Sequence, residues 1–381
     1  MTAKKKILIR IGSLRHGGAE KVLVTFLKNL SPDKYEIDLL LNLYSGKYLK
    51  DVPSWISIYY LNKGEMITTN RLQDIPRKAF RVIYQSILRK FPKLLYHYIL
   101  PNKKYDIEFA AIDGIAEDIL NSPIKSSKKI VWIHNDLSKI PEYTKDKLNR
   151  FFEFDTILVI SDVIHHFFND LAQSNEERKK IVRIYNPIDV KEIRQLSTEP
   201  CELIVENNKP IFVSIGTIFP QKGFDRLLRA HRRLLDEGLQ HEVWIVGDGY
   251  DFPAIKKLVK DLNISETTQL IGFKENPYPY FIKADYYILS SRYEGYPTVL
   301  FEAMVLQKPI LATDVSGVKE MLNNGELGYI MKNDENAIYS GMKYFIEHPE
   351  VSIKYKQVIQ SKSLPFELDS AVSSIEKHFI D

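Results

Sequence analysis

Two carboxylates, Glu294 and Glu302, flank a Gly295-Tyr296-Pro297 turn, and Lys222 stands beside Gly223 at what reads as a second helix entry. These residue types suit a ligand that carries both an anion and hydroxyls, since lysine neutralises phosphate and carboxylates accept hydrogen bonds from hydroxyl groups. Proline suits the first position of a helix because its missing N–H would be unpaired there. A helix opening at Pro297 therefore leaves the amides of Thr298 and Val299 free to meet a diphosphate. Glu302 lies roughly 7–8 Å beyond Pro297 at about 1.5 Å per residue, which is the reach from a diphosphate to a ribose. A sugar nucleotide has both ends, with Glu294 over its sugar and Glu302 on its ribose diol. A bare pair at this spacing is also what two solvated charges look like, so the flanking pattern has to decide.

The apolar run Tyr286–Leu289 reads as a buried strand, which Ser290 and Ser291 end before the turn. Ile211–Ile215 is a strand as well, followed by the loop Gly216 to Gly223 and a helix from Phe224 to Leu235. Further strands are expected at Ile7–Ile11, Glu36–Leu43, Ile56–Leu61, Asp106–Ala111, Lys129–Ile133, Thr156–Ile160, Ile181–Tyr185, Val243–Val246, Leu270–Phe273 and Pro309–Thr313, with helical stretches between most of them. Such alternation gives an α/β fold with parallel sheets covered on both faces, whose ligands bind outside the carboxyl ends of the strands. Gly17 and Gly18, after the first strand, let a backbone approach a ligand closely, but without Gly-X-Gly-X-X-Gly they are not a dinucleotide fingerprint. His134 and Asn135 fall directly after the strand that ends at Ile133, where a structural hydrogen-bonding role and a ligand contact both remain open.

With 381 residues the chain has room for two domains, and a single cysteine, Cys201, leaves no intramolecular disulfide. No uncharged apolar run reaches the 18 or so residues of a membrane span, and no signal-like segment follows Lys4-Lys5-Lys6, so a cytoplasmic protein is expected. The net charge of +4 is mild and does not argue for nucleic acid. Residues 75–104 concentrate positive charge without an acid: Arg77, Lys78, Arg81, Arg89, Lys90, Lys93, Lys103 and Lys104. Phe80, Ile83, Tyr84, Ile87 and Phe91 make an apolar stripe on a helix that Pro92 should kink or end. Such a helix either packs on the domain core with a solvated face or lies on an anionic membrane surface. A polar, irregular stretch from about Pro187 to Lys209 reads as a linker.

Ser291-X-X-Glu294-Gly-Tyr-Pro297, followed by Glu302-Ala-Met304, with a strand before and a helix after, resembles the E-X7-E signature of retaining GT-B glycosyltransferases of family 4, a group rich in bacterial surface-glycan and lipid-linked oligosaccharide enzymes. The resemblance implies two Rossmann-like doubly wound domains facing across a cleft. These are an acceptor domain over 1–188, a nucleotide-sugar donor domain over 189–364, and a last helix within 365–381 returning to the first domain. It implies that Gly17-Gly18 lies beneath the donor diphosphate, that His134 contacts the donor sugar beside the acceptor, and that Gly272, Phe273 and Lys274 receive the base. Family members have an arginine where this chain has Thr217, after Gly216, which leaves Lys222 alone on the diphosphate or helped by Arg292. In relatives that extend lipid-diphosphate-linked glycans a basic helix touches the carrier, giving Arg77, Lys78, Arg81 and Arg89 an acceptor or membrane role at the cytoplasmic membrane face.

The implied activity is retaining transfer of a hexosyl or N-acetylhexosaminyl group from a UDP-sugar, with no cofactor besides that co-substrate. No Asp-X-Asp occurs, so a metal-independent reaction is expected, with catalytic roles for Glu294, His134 and Lys222. A transferase for soluble acceptors is one alternative reading. A catalytically silent nucleotide-sugar-binding subunit that needs a partner is the other.

Overall fold

The computed structural model describes residues 3–15, 17–64, 75–100, 104–203, 209–362 and 368–380. Of the expected basic segment, Lys103 lies outside the described residues, as do 365–367 of the segment expected to hold the last helix. The chain forms two compact units, Met1–Ile188 with Phe366–Asp381, and Asp189–Pro365.

The first unit holds a seven-stranded, wholly parallel sheet: β1 (Lys5–Ile11), β2 (Tyr35–Tyr44), β3 (Ser57–Lys63), β4 (Ile107–Ala110), β5 (Lys128–Ile133), β6 (Thr156–Val159) and β7 (Ile181–Arg183). Its order is β3-β2-β1-β4-β5-β6-β7. The second unit repeats the plan with β8 (Ile211–Ile215), β9 (Glu242–Val246), β10 (Thr268–Gly272), β11 (Tyr286–Leu289), β12 (Ile310–Thr313) and β13 (Tyr329–Met331), ordered β10-β9-β8-β11-β12-β13. In both sheets the order reverses beside the first strand, between β1 and β4 and between β8 and β11. A doubly wound sheet opens its ligand crevice there, because the connections leave in opposite directions.

The strands are continuous Ile/Leu/Val/aromatic runs because helices cover both faces. Ile7, Leu8 and Ile9 of β1, and Tyr287 and Ile288 of β11, are fully buried. In the first unit the last helix, Leu368–Ile380, belongs to this core. Phe379 meets Phe26, Tyr35 and Phe109 edge-on at ring separations of 5.8, 5.9 and 5.8 Å.

Two local readings need correction. Tyr329–Met331 is too short, and too close to Gly328, to stand out as a strand, yet it pairs with β12 as the sheet edge. The polar linker carries a helix, Val190–Leu196, which Asp189 caps by accepting from the Glu192 amide at 2.8 Å. A seven-residue helix is too short to show periodicity, and it persists through packing on the helices of its own unit.

The basic segment is a helix over Ile75–Lys90, broken at Phe91 and restarted at Pro92–Tyr98. Leu88 is its one buried residue, packed with Leu95 and Tyr96 beside Tyr84. Most of the stripe read from the sequence faces outward instead, with Phe80 67%, Ile83 59% and Phe91 52% exposed.

The second unit buries a chain of neutral polar groups. His241 Nδ1 lies 2.8 Å from the Leu239 carbonyl and must donate to it, so its Nε2 accepts from His231 Nδ1 at 2.7 Å. His231 Nε2 in turn accepts from Thr267 Oγ1 at 2.9 Å. A second proton on His241 would set its Nε2–H against the Nδ1–H of His231. Burial pushes His231 down to about 3 and His241 down to about 4. Both folded values lie below the unfolded histidine value of about 6.5, so the unfolded chain takes up protons first and stability falls as pH drops through 6.5 toward 4. The unfolding free energy from urea titrations is expected to decline over that window, by up to about 1.4 kcal/mol per pH unit for each histidine, and less steeply in His231→Gln.

Candidate active site

At the β8/β11 reversal two loops lie side by side. Gly223 adopts φ +65°, and a Cβ there would stand 2.2 Å from the Ser290 carbonyl oxygen, so a glycine is required twice over. The Ser290 hydroxyl donates to the Lys222 carbonyl at 2.8 Å, and the Arg292 amide donates to the Gln221 carbonyl at 2.7 Å. These contacts set Lys222 against Glu294.

The Lys222 ammonium donates to Glu294 Oε1 at 2.7 Å, and the Ser291 hydroxyl donates to the same oxygen at 2.5 Å. Gln221 Nε2 approaches Glu294 Oε2 at 3.5 Å and is anchored on the Tyr293 carbonyl at 3.0 Å. Glu294 is buried. The Lys222 stem runs past Gly216, where a Cβ would make ordinary contact with Lys222 Cε at 3.4 Å. Thr217 follows in the same loop, its carbonyl accepting from the Phe219 amide at 2.9 Å.

The helix after β11 is assigned from Val299, two residues later than Pro297, although Thr298 is already helical in φ and ψ. The Pro297 carbonyl accepts from the Leu300 amide at 2.9 Å, and Thr298 accepts from Phe301 at 3.0 Å. Among the described residues no backbone bond is made by the amides of Thr298 and Val299. Glu302 follows on this helix and accepts from the Tyr278 hydroxyl at 3.3 Å. Gly295, Tyr296 and Pro297 are buried, and Tyr296 packs where a Cβ on Gly317 would fall.

Arg292 does not stand as a second counter-ion. Both of its terminal nitrogens grip Asp225 at 2.8 Å, and Nη1 also donates to the Pro220 carbonyl at 2.7 Å. Burial alone would raise the Asp225 carboxyl, but Arg292 and Arg229 outweigh it and hold the group down to about 2. The pair is a clamp between the loops, and Lys222 is the cation left at the Glu294 corner. Gly272 closes β10 at φ +77° with Phe273 half-buried beyond it, while Lys274 is drawn onto Glu202 at 2.5 Å.

In the first unit Gly17 precedes the helix Gly18–Lys28, and the Glu20 carboxylate folds back so that a Cβ on Gly17 would lie 2.1 Å from its Oε2. Burial pushes this carboxyl up. His134 is buried beside Trp132, with ring centroids 4.7 Å apart, and burial pushes it down to about 3. The backbone of Ala111 holds the imidazole. Its Nε2 is buried and has no partner among the described residues, which leaves a neutral ring with one vacant polar atom. Asn135 donates to Asp113 Oδ1 at 2.9 Å. Arg89 is paired with Asp118 at 3.1 Å, and Asp118 also meets Arg10 at 3.3 Å, so Arg89 ties its helix to the sheet rather than standing ready for a ligand. Arg81 donates to the Lys63 carbonyl at 3.0 Å. Arg77 and Lys78 are exposed.

Ser291, Gln221, Tyr278 and Asp113 were not singled out as site residues. Asp113 had a usable signal, a carboxylate just after a strand end, as His134 follows β5. Ser291 had another in Ser-X-X-Glu.

Two parallel-sheet Rossmann-like units are the architecture of GT-B glycosyltransferases. Residues 199–362 match the family model described as "Glycosyl transferases group 1", and fold and match together support a glycosyltransferase of the family 4 type. The chain is 26% identical over 373 residues, 95% of its length and 96% of the relative's, to the N-acetylgalactosamine-N,N'-diacetylbacillosaminyl-diphospho-undecaprenol 4-alpha-N-acetylgalactosaminyltransferase of Campylobacter jejuni. It is 27% identical over 174 residues, 45% of each chain, to the N-acetyl-alpha-D-glucosaminyl L-malate synthase of Bacillus anthracis. Its fold matches Anabaena HepE, solved with UDP and glucose, at TM-score 0.73 and 16% identity over 99% of this chain and 100% of that one.

Gly223→Ala is expected to destabilise the chain by roughly 1–3 kcal/mol in urea unfolding, more than Gly238→Ala, which shares a left-handed backbone (φ +83°) but meets nothing within 4 Å.

Proposed function

We propose that this chain transfers a sugar, with retention at its anomeric carbon, from a UDP-sugar to a glycan carried on a polyprenyl diphosphate. The observation that carries the reading is the Lys222–Glu294 pair at the strand reversal of the second unit, a cation and a hydrogen-bond acceptor held in one corner. The near full-length similarity to the Campylobacter transferase, whose name specifies a diphospho-undecaprenol acceptor, supports the acceptor class. HepE, solved with UDP and glucose, supports the donor class.

On this reading the donor diphosphate takes Lys222 as counter-ion with the amides of Thr298 and Val299. Charge developing on the leaving phosphate is then met by donors already in place, and electrostatic stabilisation of this kind needs no reorganisation during reaction. Glu294 accepts from hydroxyls of the transferred sugar and Glu302 from the ribose diol. On this reading Glu294 lies over the sugar hydroxyls and serves as their acceptor, not as the nucleophile. Transfer proceeds on one face, with the departing phosphate accepting the acceptor's proton. His134, neutral at physiological pH, has a vacant Nε2 that suits a sugar hydroxyl as donor. The positive charge comes from the protein, so turnover is expected to survive chelation of divalent metal. The exposed Phe80, Ile83 and Phe91, beside Arg77 and Lys78, favour a helix lying on the cytoplasmic face of an anionic membrane where a lipid-linked acceptor resides.

Lys222→Ala and Glu294→Ala are each expected to lower kcat by about 10²–10³ on UDP-sugar and lipid-linked acceptor, with EDTA without effect. Intact turnover in both variants would remove the corner from the reaction. Arg77→Glu/Lys78→Glu is expected to weaken sedimentation with anionic liposomes while leaving UDP binding unchanged; equal sedimentation would remove the helix from membrane contact.

A further inference from the structure

In the second unit one side chain, Asn276, caps two helices. Its Nδ2 donates to the Leu196 carbonyl at 2.8 Å and to Glu199 Oε2 at 2.7 Å, at the end of the helix Val190–Leu196. Its Oδ1 accepts from the Tyr278 amide at 3.1 Å, at the start of the helix Tyr278–Lys283. Helix ends leave carbonyls and amides without intrahelical partners, and Asn276 supplies a partner at each. Both hydrogens of its amide and its oxygen are engaged, so the two helix ends share one held group.

Tyr278 carries the line onward to Glu302. The residue is buried, and its ring stacks at 6.5 Å on Phe281, which lies 5.2 Å from Tyr287 of β11. A phenol set in that stack has its hydroxyl aimed by the ring, and it donates to Glu302 Oε1 at 3.3 Å. That is longer than the usual hydroxyl–oxygen bond of about 2.7–2.8 Å, as are many contacts that tighten once a ligand is bound. Phenylalanine would fill the same stack, so packing alone does not account for the hydroxyl. The helix Val190–Leu196 also packs on the helix Val299–Val305, which carries Glu302. Contacts therefore run unbroken from the segment that follows Ile188, where the chain enters the second unit, to the second carboxylate of the E-X7-E stretch.

We infer that Tyr278 is a positioning residue for Glu302, and that Asn276 makes its aim depend on the end of the Val190–Leu196 helix. The inference rests on the reading in which Glu302 accepts from the ribose diol, and it names the residues that hold that carboxylate in place. Ribose drawn onto Glu302 tightens the Tyr278 contact, Tyr278 steadies the start of its helix, and Asn276 passes the constraint to the turn after Leu196. Linkage makes the effect mutual: whatever loosens that turn weakens nucleotide binding by the factor with which the nucleotide steadies the turn.

The test uses the full chain with UDP and 2′-deoxyuridine 5′-diphosphate as probes, bound in calorimetry. Wild type is expected to prefer UDP by about ten-fold, since a site built to hydrogen-bond a hydroxyl rejects the analogue that lacks it. Tyr278→Phe, which keeps the ring, is expected to bring the preference to about three-fold or less. The amides of Ser197, Thr198 and Glu199 donate to the carbonyls of Ile193, Gln195 and Leu196. Their hydrogen exchange is expected to slow under UDP in wild type and to be indifferent to UDP in Tyr278→Phe and Asn276→Ala. A tyrosine with a structural role only would shift stability and leave the ratio of the two nucleotides as it was. An unchanged ratio in Tyr278→Phe, or protection of the turn by UDP equal to wild type in both variants, overturns the inference. Glu302→Gln is measured beside them. A wild type with no preference or no UDP binding, or a Glu302→Gln that keeps the preference, sinks the ribose reading itself; a preference lost in Glu302→Gln and kept in Tyr278→Phe sinks the inference alone.

Discussion

The contact of Gly223 with the Ser290 carbonyl is the constraint on which the Lys222–Glu294 corner depends. Only a residue without a Cβ can take φ +65° there, and only at that closeness does the loop after β8 lie against the loop after β11. Lys222 and Glu294 are 72 positions apart in the chain and 2.7 Å apart in space because of it. The Arg292–Asp225 clamp and the Ser290–Lys222 hydrogen bond close the same seam from either side. An arginine that looked like a ligand group is paired with Asp225 across this seam, and the lysine is paired with Glu294.

The topology repeats this arrangement in the first unit, where the chemistry differs. Its reversal between β1 and β4 brings Gly17 and Gly18 near one strand end and Asp113 to another, with His134 one strand over. Burial makes His134 a neutral ring and pushes the Asp113 carboxyl up. The corner of the second unit holds a charged pair, and the strand ends of the first hold hydrogen-bonding groups at low net charge.

The basic helix shows how far composition alone can be pressed. Its apolar stripe was legible from the spacing of Phe80, Ile83, Ile87 and Phe91, but a stripe reads the same whether a core or a membrane covers it. Leu88 and Tyr84 anchor the helix, Arg89 is spent on Asp118, and most of the stripe is left exposed. Packing on β-strands distant in sequence made that choice.

By itself the sequence determined the alternating α/β plan, twelve of the thirteen strands, and the E-X7-E stretch, because buried parallel strands are written as unbroken apolar runs and a strand–turn–helix unit as local turn chemistry. The edge strand β13 and the Val190–Leu196 helix escaped, being too short to carry a period. Only the tertiary structure decided that Arg292 holds Asp225, that Lys222 holds Glu294, that His134 keeps a vacant nitrogen, and that Asn135 holds Asp113. Each depends on which strand ends become neighbours, and strand order is set by long-range packing that no window of adjacent residues contains.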